Sequence, residues 1–282
     1  MRRNSTGRGA VFTAGLGFGV AAGVALGALV IAPNIPGADA PATSDSAAGS
    51  TENPGGDTSA SAAPEEPGQD EAEQVDGVLA DRPVLVFRTA DADAAAQEQL
   101  ERLLASSGAI DAGTITLNDE YFASDSEGVT KVSELLGTAL LLDPKTGEPE
   151  APSEDRARAL QTLRDTGFID YEDGTILPTQ GIILLTGDSV DPAAVDNQAS
   201  FLDAMDRAGG ATVAAGPAGA ADDAALLGKL RAATSRTSTV DSADEPWAAA
   251  SVVLAVAERI AGESGNYGAA GNADARTPET PS

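Results

Sequence analysis

Residues 181–187 read GIILLTG, and this stretch decides the fold. Four consecutive large apolar residues between glycines are too short a run for a helix and suit a strand that is buried on both faces. Strands of that kind are typical of parallel sheets, because helices cover both sides of such a sheet. The stretch therefore predicts an interior strand of an α/β domain.

Helical and strand patterns alternate on both sides of this strand. Apolar or alternating segments predict further strands at residues 84–87, 114–117, 168–171, 211–215 and 238–240. Apolar residues at helical spacing predict helices at residues 91–107, 129–142, 153–166, 191–208, 222–234 and 246–260. Because such alternation is typical of right-handed βαβ units, we predict a three-layer α/β domain with a mostly parallel sheet over residues 82–268. The strand order does not follow from these patterns.

An uncharged run at residues 10–32 precedes the domain. As a helix it would extend about 34 Å, enough to cross the hydrocarbon core of a bilayer. Three arginines within residues 1–9 predict, by the positive-inside rule, a cytoplasmic N-terminus and an extracytoplasmic domain. A secretory signal peptide is the alternative, with ADA at residues 38–40 as the cleavage site, but its apolar region is usually only about 7 to 15 residues long. Both interpretations export the domain.

Four glycines recur at every fourth position of this run, at Gly15, Gly19, Gly23 and Gly27. That spacing places them on one stripe of a helix. In a bilayer, a stripe of small residues lets two helix backbones approach closely. The stripe predicts pairing with a second copy or with another membrane protein, although an anchor rich in Gly and Ala also contains such spacings by chance.

The segments that flank the domain have a different composition. Residues 33–81 are rich in Pro, Gly, Ser and Ala and contain 11 acidic residues but no Lys or Arg. Such a segment cannot bury enough apolar surface to offset its ordering entropy, so we predict a disordered, self-repelling linker. Residues 269–282 are predicted to be a disordered tail.

The composition excludes several classes of function. The chain has no cysteine and no histidine, which removes thiolate catalysis, His-dependent triads and thiolate or imidazole metal sites. Its formal net charge of −27 makes nucleic acid an improbable partner. Neither a P-loop nor a G-x-S-x-G elbow occurs. We predict neither enzymatic activity nor a cofactor.

Three positions in the domain are candidates for binding. LTGDS at residues 185–189 follows a buried strand, where ligand sites of α/β domains commonly form, but an ordinary turn is the simpler interpretation. Arg88 ends another buried strand and is expected to pair with a carboxylate or to meet an anionic ligand. Asp241, Asp244 and Glu245 offer three carboxylates for a hard cation, although acidic residues also stabilise a helix N-terminus.

Several stretches together resemble the MctB-type proteins of actinobacteria, which are often labelled copper transporters. The matching stretches are VLVFRTADAD (84–93), ITLNDEYF (115–122), LRDTGFIDY (163–171), STVDSADEPWAAASVVLAVAERI (238–260) and NYG (266–268). The resemblance implies a single-pass envelope protein that serves copper efflux or copper homeostasis. It also implies an alternative, a membrane-bound partner of proteins that control peptidoglycan hydrolysis and daughter-cell separation.

The residues restrict the copper interpretation. Copper sites in proteins favour Cys, Met or His, and the domain offers Met205 alone. A single spanning helix cannot line a pore unless many copies assemble. We therefore predict a non-enzymatic binding or scaffolding protein that acts within an assembly. The family usually carries a helical, coiled-coil-like segment after its anchor, and this chain has the acidic linker in its place.

Overall fold

The computed structural model describes residues 69–233 and 235–279, so the predicted anchor and the four glycines at residues 15–27 lie outside the described residues. Seven strands form the sheet: β1 (Pro83–Thr89), β2 (Ile110–Leu117), β3 (Ile169–Tyr171), β4 (Gly181–Leu185), β5 (Ala211–Ala215), β6 (Ser238–Val240) and β7 (Asn266–Tyr267). The helices are α1 (Gln69–Val75), α2 (Ala94–Ser106), α3 (Asp119–Phe122), α4 (Ser126–Leu140), α5 (Ser153–Asp165), α6 (Pro192–Arg207), α7 (Leu226–Ala232) and α8 (Pro246–Ala261).

The strands lie in the order β3-β2-β1-β4-β5-β6-β7. All neighbours pair in parallel except β2 and β3, which are antiparallel. The GIILL segment that predicted an interior strand forms β4, pairs with β1 and β5, and is buried at every residue. The mostly parallel α/β sheet is confirmed.

Successive side chains of each central strand enter opposite cores, as the two-residue period of a strand requires. In β4, Ile182 and Leu184 pack into one core with residues from α3, α4, α5, α6 and α7. Ile183 and Leu185 pack into the other core with residues from α1, α2 and α8. The domain therefore has three layers, with the sheet between two layers of helices.

Asp side chains define the starts of three helices. The carboxylates of Asp93, Asp125 and Asp191 accept hydrogen bonds from backbone N–H groups three residues later, at 2.7–2.9 Å. These bonds satisfy N–H groups that have no partner within the helix. These three acidic residues thus have a structural role as helix caps.

The folded domain extends beyond both ends of the predicted range 82–268. On the N-terminal side, α1 lies within the segment predicted to be a disordered linker. Its Val75 and the following Leu79 are 0% and 1% exposed, because they complete the core between α2 and α8. Val75 at the end of α1 and Leu79 in the following turn therefore attach this acidic segment to the domain.

On the C-terminal side, residues 269–279 lie against the sheet edge rather than forming the predicted disordered tail. Ala275 forms a parallel bridge with Tyr267 of β7. The guanidinium of Arg276 lies 4.1 Å from the ring centre of the half-buried Trp247. The tail therefore covers Trp247, which also packs, partly buried, against the core of α1, α2 and α8.

Two smaller differences concern the region after β5. The predicted helix 222–234 is limited to α7, and a 3-10 turn at Ala218–Ala221 precedes it. Strand β7 was not predicted at all, since its two residues contain no apolar run. Within residues 69–233 and 235–279, no helix combines the length and apolar character that crossing a bilayer requires.

Candidate functional site

The strand order reverses between β1 and β4, because β2 lies on one side of β1 and β4 lies on the other. In open α/β sheets, ligands bind in the crevice that such a reversal creates at the carboxyl ends of the strands. The predicted LTGDS turn at residues 185–189 is located at this crevice, together with the TAD segment at residues 89–91.

The chain's own side chains occupy this crevice. The hydroxyl of Thr89 donates to Asp91 Oδ1 at 2.6 Å and accepts from the backbone N–H of Gly187 at 3.3 Å. A Cβ added at Gly187 would overlap the carboxylate of Asp91. Gly187 is therefore required for the close approach of the two turns, and the geometry favours the interpretation of LTGDS as a structural turn.

Arg88 differs from its expected role. Its guanidinium donates to Gln97 Oε1 at 2.8 Å and to the carbonyl of Ala92 at 2.9 Å, and no ion pair of Arg88 occurs among the described residues. The expected carboxylate partner is wrong. Neutral oxygens of the loop before α2 and of the first turns of α2 satisfy the side chain, so Arg88 fixes the start of that helix.

Asp241, the first residue of the predicted cation site, forms a buried ion pair with Arg231. Arg231 Nη2 lies 3.0 Å from Asp241 Oδ2, and the two side chains are 4% and 0% exposed. Arg231 also donates to Thr239 Oγ1 at 2.8 Å, to the carbonyl of Tyr267 at 2.7 Å and to Asn272 Oδ1 at 2.6 Å. Both charges are thus enclosed in a network of hydrogen bonds.

The segment after β7 wraps around the same carboxylate. Ala269 N–H donates to Asp241 Oδ1 at 2.8 Å, and the Ser242 hydroxyl donates to the same oxygen at 2.8 Å. Gly268 has φ +138° and lies so close that an added Cβ would overlap both carboxylate oxygens. The stretches 238–260 and 266–268, separate in sequence, therefore meet at Asp241.

The three carboxylates of the predicted cation site have different environments. Asp244 and Glu245 are exposed, whereas Asp241 is buried and faces an arginine. Glu245 is the N-cap of α8 but makes no side-chain capping hydrogen bond. Among the described residues, no three Asp or Glu side chains are placed to hold a metal ion. The geometry gives the cation site no support.

The described domain also presents no exposed soft ligand for copper. Met205, a residue of α6, is 0% exposed and packs in the core. The chain contains no cysteine or histidine, and its other methionine is Met1. Oxygen ligands are therefore what the surface of this domain offers to a cation.

Sequence reasoning missed Arg231, the residue that organises the carboxyl end of β6. It lies in the last turn of α7, and its partners come from β6, β7 and the tail. An arginine in the last turn of a helix is usually exposed to solvent, so the sequence around Arg231 does not indicate that its side chain is buried. The strand order, which brings β7 beside β6, was the missing information.

Comparisons with known proteins agree with the residue pattern. The model of the family described as "Copper transport outer membrane protein, MctB" matches residues 5–129 and 123–278. Copper transporter MctB of Mycobacterium tuberculosis (strain ATCC 25618 / H37Rv) is 26% identical over 226 residues, covering 69% of this chain and 72% of that protein. Copper transporter MctB of Mycobacterium leprae (strain TN) is 26% identical over 230 residues, with the same coverage of each chain. These names describe transporters rather than enzymes.

Proposed function

The chain belongs to the MctB family, as its resemblance predicted, and on that premise we propose that it serves copper transport or copper homeostasis in the cell envelope. The observation that carries the proposal is the family match, which includes nearly all of the described domain, residues 69–278, as well as the N-terminal segment. The relatives named copper transporters match over 69% of this chain.

The proposal includes a membrane anchor at residues 10–32, with the N-terminus in the cytoplasm and the domain outside. Its support is the uncharged run preceded by arginines. The stripe of Gly15, Gly19, Gly23 and Gly27 pairs this anchor with a second copy or with another membrane protein. The acidic linker then holds the domain away from the membrane.

The role in copper handling is indirect and depends on an assembly. Copper prefers thiolate, thioether or imidazole ligands, and the one methionine of the domain is inaccessible. Arg231 occupies one side of Asp241, where a cation would bind. The domain itself therefore acts as a rigid scaffold, and partner proteins supply the copper ligands.

The rigid domain also favours a second candidate, a non-enzymatic regulator of cell-wall hydrolysis and daughter-cell separation. The specific observation is that the TAD and NYG stretches make internal contacts, at Gly187 and Asp241, rather than lining an open ligand site. A domain of that kind acts through its protein contacts.

Deletion of the gene tests both candidates. Copper sensitivity without cell chaining supports copper homeostasis, and chaining without copper sensitivity supports the regulator. Complementation with the full chain is the control. If the deletion strain shows neither phenotype under copper stress or during division, both proposals are contradicted.

The anchor is tested separately by replacing Gly19 and Gly23 with Ile and measuring association in a membrane reporter assay. Bulky side chains on the stripe prevent close backbone approach, so association should fall. A variant with Ile at Ala21 and Ala25, off the stripe, is the matched control. Unchanged association of the glycine variant would contradict helix pairing.

A further inference from the structure

A cavity of about 300 Å³ opens at the amino ends of β1, β4 and β5, opposite the carboxyl ends described above. Its charged and polar lining comes from six side chains that belong to six separate parts of the chain. They are Arg82, Asp143, Gln180, Asp206, Arg236 and Arg259. Three of the six are arginines, in a chain with a net charge of −27.

Arg259 is the buried member of this group, with 5% of the residue exposed. Its Nη2 donates to Asp206 Oδ1 at 2.7 Å, and its Nη1 donates to the carbonyl of Glu263 at 3.1 Å. Its Nε is buried and has no hydrogen-bond partner among the described residues. Burial lowers the pKa of the guanidinium, because it disfavours the charged form, although the neighbouring Asp206 opposes that shift.

The single negative charge of Asp206 faces two guanidinium groups, those of Arg259 and Arg236. Arg236 Nε lies 3.8 Å from Asp206 Oδ2, beyond hydrogen-bond distance, and 73% of the Arg236 side chain is exposed. Arg82 contributes a third guanidinium, whose Nη1 donates to the neutral Gln180 Oε1 at 3.3 Å. Within the described part of the chain, no carboxylate forms an ion pair with Arg82.

The second carboxylate of the cavity already has backbone partners. Asp143 Oδ1 accepts from the N–H groups of Lys145 and Thr146 at 2.7 and 2.9 Å. These hydrogen bonds lower the pKa of Asp143, and they hold its side chain in the turn after α4. Asp143 therefore does not act as the counter-ion of the arginines.

We propose that this cavity binds a phosphate group. Three guanidinium groups from different elements surround the cavity, and two carboxylates leave its lining with a net charge of +1. Guanidinium groups recognise phosphate through several hydrogen bonds at once, and a phosphate offers more acceptor oxygens than a carboxylate does. Bound phosphate would supply negative charge and acceptor oxygens to the guanidinium groups that Asp206 alone does not satisfy. This inference is independent of the proposed role in copper handling.

The test uses the full chain in a mild detergent and follows the ³¹P NMR line width of inorganic phosphate at constant ionic strength. Wild type should show saturable broadening. Arg236→Gln should bind at least about tenfold more weakly, because one charge-assisted contact is lost. Arg158→Gln is the matched control, since Arg158 lies on α5 away from the cavity and its side chain is 72% exposed, close to the 73% of Arg236.

A second titration with glycerol 3-phosphate identifies the source of the phosphate group. Binding of both compounds indicates a phosphate carried by a larger molecule, and binding of inorganic phosphate alone indicates the free ion. Absence of saturable binding by wild type would overturn the proposal. Equal loss of binding in Arg236→Gln and Arg158→Gln would also overturn it, because phosphate would then be responding to the total charge of the protein rather than to the cavity.

Discussion

Two buried Arg–Asp pairs lie at opposite ends of the strands of the same sheet. They differ in how many of their polar atoms have hydrogen-bond partners. At the carboxyl ends of the strands, Arg231 and Asp241 are enclosed by hydrogen bonds from β6, β7 and the tail. At the amino ends of the strands, Arg259 and Asp206 border an open cavity, and Arg259 Nε has no hydrogen-bond partner among the described residues. The first pair connects α7 with β6, β7 and the tail, whereas the second pair is arranged to bind a ligand.

Removing the carboxylate should cost more stability at the closed pair. Asp241→Ala leaves the buried Arg231 without its counter-ion, so we expect the free energy of unfolding to fall by about 3–5 kcal/mol. Asp206→Ala should cost about 1–2 kcal/mol, because the Asp206 side chain is 11% exposed at the cavity, whereas that of Asp241 is 0% exposed, so water can take its place beside Arg259. Urea denaturation of the full chain measures both values. Equal losses would contradict the distinction between the pairs.

Gly268→Ala tests the close approach of the tail to the closed pair. An added Cβ would overlap the Asp241 carboxylate, so we expect a loss of about 2–4 kcal/mol in unfolding free energy. Gly262→Ala is the control, since Gly262 also has positive φ, +94°, but has no atom within 4 Å of an added Cβ. Backbone strain alone should cost about 1 kcal/mol there. A Gly268 variant no less stable than the Gly262 variant would show that Asp241 is not enclosed.

Shortening the chain tests whether the tail belongs to the closed pair. Ending the chain after Gly268 removes the Ala269 N–H group from Asp241 and the Asn272 acceptor from Arg231. We expect a loss of about 2–3 kcal/mol, comparable with the loss of two charge-assisted hydrogen bonds. A chain that ends after residue 279 is the control and should unfold like wild type. Equal stability of the two shortened chains would show that the tail is dispensable.

Alkaline titration of Tyr267 gives the smallest expected effect. Its carbonyl accepts from Arg231, and its hydroxyl donates to Glu258, the neighbour of Arg259. Burial, followed by the hydrogen bond to Glu258, raises the pKa of Tyr267 in the folded state. The unfolded tyrosine ionises near pH 10 while the folded one keeps its proton, so stability is lost as pH rises above about 10. Tyr267→Phe should make that decline shallower in pH-dependent urea denaturation.

A decline as steep in Tyr267→Phe as in wild type would contradict a buried phenol at this position. Tyr171→Phe is a useful comparison, because Tyr171 is at the exposed sheet edge and burial raises its pKa as well. Burial also raises the pKa of Tyr121, which both variants retain, so their comparison separates the contribution of Tyr267 from that of Tyr171.

Both Arg–Asp pairs join distant segments, whereas the features that the sequence predicted are local. Patterns of apolar residues predicted β4, β5 and α8 nearly to their ends, because burial of a strand or helix leaves a local period. The family resemblance was confirmed by the match over residues 5–129 and 123–278. Single strands and helices depend on residues that are close in sequence. The family resemblance depends on short stretches that occur in the same order along the chain.

Contacts between distant segments could not be predicted in this way. Arg231 and Asp241 meet only because β7 and the tail pack beside β6, and Arg259 reaches Asp206 from a helix 53 residues further along the chain. Helix α1 carries few apolar residues, so the attachment of this segment through Val75 and the following Leu79 has a weak local pattern. Strand order, which the sequence left open, decides the first of these contacts, and packing between helices decides the other two.

Phosphate-dependent unfolding of Asp206→Asn and Asp241→Asn tests most directly the claim that one pair accepts a ligand and the other is closed. A ligand that binds only the folded state raises the unfolding free energy as its concentration increases. In Asp206→Asn, phosphate can replace the lost counter-ion, so its stabilising effect should exceed that in wild type. In Asp241→Asn the effect should equal that in wild type, although the protein is less stable. Absence of added stabilisation in Asp206→Asn, or its appearance in Asp241→Asn instead, would contradict the account.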